Sequence, residues 1–78
     1  MADRYPIIVF WSDEDEAYIA EIPDLFACSA FGPTAEEAVA EVQRAKAAWL
    51  ASAREHGDPI PAPSSPPARA LAMLRRPA

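Results

Sequence analysis

The sequence is short of the residues that usually carry chemistry or brace a small fold. Cys28 is its only cysteine, so no disulfide can form within the chain. His56 is its only histidine, which leaves no Cys/His set for a structural metal. Gly32 and Gly57 are the only glycines, and no phosphate-binding loop can be built from them. Long apolar runs are missing too: Tyr5 to Trp11 spans seven residues, against the about 20 that a membrane-crossing helix needs. No small-residue cleavage site follows a signal-type core. A chain of 78 residues buries only about 60% of its unfolded surface, which makes a lone monomer marginal. With disulfide and metal excluded, self-association is the remaining brace, so a homo-oligomer (dimer or tetramer) is expected. An unpaired thiol fits a reducing compartment, and a cytoplasmic setting without membrane contact is expected.

Basic residues are scarce and unevenly placed. Up to Ile60 twelve acidic residues face four basic ones, a net of −8, whereas from Pro61 onward three arginines stand without any acid, a net of +3. An acidic body repels phosphate, which argues against nucleic-acid binding by residues 1–60 and favours a basic partner.

What is present reads as a small α+β unit. "RYPIIVFWSD" (4–13) is β-branched and aromatic and predicts a strand, with Tyr5, Ile7, Val9 and Trp11 on one face and Ile8 and Phe10 on the other. Both faces are apolar, so one is expected against a helix and the other against a partner or a second copy. "SDEDE" (12–16) is a turn and "AYIAEIP" (17–23) a second strand ended by Pro23, making an antiparallel hairpin. "DLFA" is a hinge and "ACSAFG" (27–32) a short third strand. In "PTAEEAV", Thr34 and Glu37 form a capping box, Thr34 accepting from the Glu37 amide and Glu37 reaching back to the Thr34 amide. Ala35, Ala38, Val42, Ala45, Trp49 and Ala53 then recur at helical spacing, and Gly57 with Pro59 stops the helix. Trp49 is the one large anchor of that stripe, and its loss would cost about 3–5 kcal/mol if it were fully buried. "DPIPAPSSPP" (58–67) predicts an extended polyproline-like arm, and "ARALAMLRRPA" (68–78) fits a short helix, a strand or no structure. The domain is expected to be 1–58, with 59–78 as arm and basic tail.

No set of residues supports catalysis. The run Asp13–Glu16 lacks the alternate ligand spacing and bending glycine of a cation loop and reads as a solvated turn. His56 suits the negative end of the helix, and Cys28 reads as a buried structural thiol. No metal, no cofactor and no enzymatic activity are expected.

The order of parts resembles the HicB antitoxin family: "YPIIVFWSDEDEAYIAEIPDLFAC", then "GPTAEEAVAEVQRAKAAWL", then "GDPIPAPS". The resemblance covers residues 4–64. It implies a three-stranded antiparallel sheet, with room for a fourth short strand, packed on one helix in the order β-β-β-α, described in the family as a partially degraded RNase H-like fold. It also implies a protein-binding module that neutralises HicA, a small basic toxin that cleaves mRNA, by covering its RNA-binding face. The alternative is an orphan structural oligomer without a toxin. Carried over by position, Tyr5, Pro23, Leu25, Cys28, Thr34 and Glu37 are fold-defining, and Val42 and Trp49 join them from the helix stripe. Trp11, Asp13, Glu14, Asp15, Glu16, Glu21, Asp24 and Phe26 are the expected partner contacts. Two departures stand out. The family's usual "PDLPGC" is "PDLFAC" here, which is expected to change the turn and to expose Phe26. Only fourteen residues follow Ser64, too few for the DNA-binding domain many members carry, so direct DNA binding is not expected.

Overall fold

The computed structural model describes residues 4–64. Three strands, β1 (Ile8–Ser12), β2 (Ala17–Glu21) and β3 (Ser29–Gly32), form an antiparallel meander in the order β1-β2-β3, and α1 (Ala35–His56) follows. This is the β-β-β-α arrangement expected from the sequence. The strands are shorter than the apolar pattern implied. Residues 4–7 precede β1 without joining the ladder, although Tyr5 is buried in the core all the same. Residues 65–78, and with them the fourth strand and the fate of the basic tail, lie outside the described residues.

Register decides which side chains meet. Val9 pairs with Ala20 and Ala20 with Ala30, while Trp11 pairs with Tyr18 and Tyr18 with Gly32. These residues share the face under the helix, because side chains alternate along a strand. Ala20 is fully buried there with Ile22, Leu25, Cys28, Ala38 and Val42, and Tyr18, Ala30, Ala45 and Trp49 pack around them. Small residues on both sides let the layers come close. A Cβ built on Gly32 would lie 2.9 Å from the Ala38 nitrogen, so β3 and the first turn of α1 leave no room for a side chain there.

The hinge between β2 and β3 is two successive tight turns. The Leu25 amide donates to the Ile22 carbonyl at 3.0 Å, with Pro23 at the second position, where its fixed φ is favoured. The Cys28 amide donates to the Leu25 carbonyl at 3.0 Å, and Ala27, third in that turn, has φ 60° while Phe26 has no positive φ. A positive φ at the third position alone is the type II turn, whose preferred central pair is proline–glycine. With Phe26–Ala27 as the central pair, the positive φ falls on a residue other than glycine, which places backbone strain at Ala27. Trp49, on the helix, donates its indole N–H to the Phe26 carbonyl at 2.9 Å and so holds the central peptide of this turn from outside.

α1 is capped at both ends. Thr34 is extended (φ −128°, ψ 161°), and its hydroxyl oxygen accepts from the Glu37 amide at 3.1 Å. The second half of the expected box differs: the Thr34 hydroxyl donates to the Glu37 carboxylate at 3.1 Å, in place of the Thr34 amide. At the other end Gly57 (φ 69°) donates to Arg54 and Asp58 donates to Ala53, a Schellman ending that needs a left-handed residue. The buried stripe includes Lys46, 8% exposed, which the apolar pattern did not reveal. Its aliphatic stem fills a position at helical spacing from Val42. Burial pushes the Cys28 thiol above its ordinary value, and the Lys46 charge partly opposes this. Cys28 is thus a protonated core group, unsuited to nucleophilic attack.

The arm folds back on the domain. The Tyr5 hydroxyl donates to the Pro61 carbonyl at 2.5 Å. Ser64 donates its amide to one Asp24 carboxylate oxygen and its hydroxyl to the other, both at 2.9 Å.

Candidate functional site

Two surfaces of the sheet are left unfinished by the fold. The first is the face turned away from α1. Phe10, Ile19 and Phe31 lie opposite one another across the three strands, and Ile8 lies beside them on the same face. Phe10 is 44% and Phe31 67% exposed. An apolar row crossing the whole width of a sheet is a docking feature, unlike scattered surface leucines. The sequence reading noticed that β1 was apolar on both sides but did not name these residues as contacts. The signal lay in the hairpin register, which aligns the three side chains.

The second surface is the β1–β2 tip. Asp13 to Glu16 form the turn, with Glu16 at φ 51°. Two of the four carboxylates are used internally. The Trp11 indole donates to Asp13 at 2.7 Å. The Ser12 hydroxyl donates to Asp15 at 3.1 Å and accepts from the Asp15 amide at 3.2 Å. Glu14 and Glu16 are exposed and are the charges the turn offers to solvent. Trp11 stands on the helix-side face, 48% exposed, because α1 packs mainly over β3 and β2. It meets Tyr18 edge-on at 5.2 Å between ring centroids.

The expected partner residues do not form one patch. Trp11 and Asp13 to Glu16 are at the tip, whereas Glu21, Asp24 and Phe26 are at the far end of β2, a separation of about 17 Å along five residues of strand. Glu21 shares the open face with Ile19. Phe26 is 87% exposed on the hinge. Asp24 is occupied by Ser64, so its carboxylate anchors the arm. Among the described residues no group of three or more His, Cys, Asp or Glu side chains is placed to hold a metal ion, and no helix is long and apolar enough to cross a membrane.

The described residues form a small α+β domain with an acidic tip and an open apolar sheet face. The family model for the HicB-like antitoxin of bacterial toxin–antitoxin systems matches residues 5–71, and the chain belongs to that family. It is 38% identical to the UPF0150 protein ssl0259 of Synechocystis over 58 residues, 74% of this chain and 78% of that protein. It is 33% identical to the UPF0150 protein Ta0767 of Thermoplasma acidophilum over 58 residues, 74% of this chain and 83% of that one. No solved structure matches the chain. Family membership points to a regulatory protein of a toxin–antitoxin pair rather than to an enzyme.

Proposed function

We propose that this protein is a cytoplasmic antitoxin that binds a small basic HicA-like toxin and blocks mRNA cleavage by covering the face that grips RNA. The observation that carries the reading is the pairing of an acidic tip with an open apolar sheet face in a member of an antitoxin family. A ribonuclease that holds phosphates must present cationic groups. Glu14 and Glu16 supply steering charge, Phe10, Ile19 and Phe31 supply apolar area for the docked state, and Trp11, on the other face of β1, adds to it where the toxin wraps the β1 margin. Glu21 lies on the same open face at its other end and extends the contact where the toxin spans the sheet, and Phe26 offers an exposed ring on the hinge beyond it. Asp13 and Asp15 act indirectly, by holding Trp11 and the turn in shape.

The test uses the HicA-like toxin from the same source and follows association by stopped flow at low and high salt. Reversing Glu14 and Glu16 to lysine should slow association at low salt and matter little at high salt, where charges beyond a Debye length are screened. Unchanged association rates at low salt would remove the tip from the interface. Failure of the native chain to bind or inhibit the toxin would leave the orphan-oligomer reading, which the open apolar row favours independently.

A further inference from the structure

Phe26 is the most exposed large apolar side chain among the described residues, at 87%. The turn that carries it does not need it. The second position of a type II turn asks for a φ of about −60°, which proline supplies best, and a phenylalanine ring adds nothing to that requirement. Leu25 and Cys28, at the two corners of the turn, are buried, so the core grips both ends and leaves the central pair outside. The ring is thus presented to solvent, where an aromatic side chain gains nothing for the free domain.

The base of the ring is held firmly. The Leu25 and Cys28 amides close two successive turns at 3.0 Å each, and the Trp49 indole holds the Phe26 carbonyl at 2.9 Å. In the same turn Ala27 accepts a positive φ at a cost that glycine would avoid. A ring on so fixed a base loses little further freedom on docking, because only its own side-chain torsions remain to be ordered. Glu21, on the open face, lines the same shallow depression as Phe26 and Ala27, which joins the ring to the face assigned to the toxin. A standard interface covers about 800 Å² on each partner, a patch about 30 Å across. β2 spans about 17 Å, so a toxin centred on the apolar row reaches both the tip and the hinge.

We propose that Phe26 is the anchor of the toxin complex: it seats in an apolar socket of the toxin and sets how long the complex lasts, while the acidic tip sets how fast it forms. The proposal rests on the antitoxin reading and divides the work between the two ends of the sheet. Steering charges act before contact and change association, whereas a ring desolvated in the complex is felt on dissociation. A single well-packed aromatic at such a point carries a large share of the binding energy, and the contacts around it serve to exclude water.

The experiment measures association and dissociation of the full chain with the HicA-like toxin from the same source, at low and high salt. Phe26→Ala should raise the dissociation rate by about thirtyfold or more at both salt concentrations and leave the association rate within about twofold of native. Phe26→Pro deletes the ring but keeps a residue the turn favours, so it should shorten the bound lifetime as alanine does. Phe26→Leu, which keeps apolar bulk, should recover part of that lifetime. Thermal unfolding of the free chain should be unchanged in the alanine and proline variants. A Tm lowered by several degrees would show that the ring is covered within the free protein, by residues 65–78 or by a second copy, and would overturn the proposal. A Phe26→Pro chain that binds like the native one would also overturn it, by assigning the effect of alanine to the turn. Tight native binding with Phe26→Ala dissociating at the native rate overturns the anchor and leaves the antitoxin reading standing, whereas a native chain that does not bind the toxin overturns both.

Discussion

Ala27 carries a cost that one substitution should release. At φ 60° its Cβ crowds the backbone, a penalty of about 1–2 kcal/mol for an L-residue in the left-handed region. Glycine removes that penalty but loses about 0.5–1 kcal/mol more conformational entropy on folding than alanine does. Ala27→Gly is therefore expected to stabilise the domain by about 0.5–1 kcal/mol, which for a chain of this size raises Tm by about 2–8 °C. The assay is thermal unfolding followed by tryptophan fluorescence, with native and variant at one protein concentration, since the Tm of any associating chain depends on concentration. Trp49 is a suitable reporter, since its indole N–H is bonded to the turn being altered. Ala27→Val sets the opposite sign: a β-branched side chain tolerates positive φ poorly, and a loss of about 1 kcal/mol or more is expected. An Ala27→Gly protein that melts at or below the native temperature would refute the reasoning, because it would mean that the turn opens or rearranges around alanine.

Three further changes probe the parts that set the site's frame. Gly32→Ala should cost about 1–3 kcal/mol, since the new Cβ would meet the Ala38 nitrogen at 2.9 Å; urea titration reads it, and an unchanged midpoint would show that the strand and helix can separate freely. Trp49→Phe keeps much of the packing but leaves the Phe26 carbonyl without its indole donor, a loss of about 0.5–1.5 kcal/mol, measurable by the same titration through circular dichroism. The Cys28 thiol is raised above its ordinary value by burial, so the folded state holds this proton more tightly than the unfolded one. The stability this gives is complete below the unfolded thiol's pKa and is lost as pH rises through the folded value, so native stability should decline on the alkaline side of about pH 8.5. Cys28→Ala should flatten that decline relative to its own value at neutral pH; an identical slope would assign the decline to other groups.

Much of the frame is local in origin and could be read from adjacent residues. Thr34 with Glu37, Gly57 before Pro59, and Pro23 after an alternating run are signals whose physics lies within one turn of chain. What escaped the sequence reading is set by contacts between distant residues. The Ser64–Asp24 bonds join positions 40 apart, so nothing near "PDL" shows that its aspartate anchors the arm. Lys46 interrupts an apolar stripe yet is buried, because only the stem of the side chain must lie in the core position. Ala27 holds a positive φ without being glycine, where the bonds of Leu25, Cys28 and Trp49 brace the turn around it. The expected partner residues lie close together in the sequence, and the meander separates them to opposite ends of the sheet. A one-dimensional list cannot show that division, since it follows from where β2 turns back.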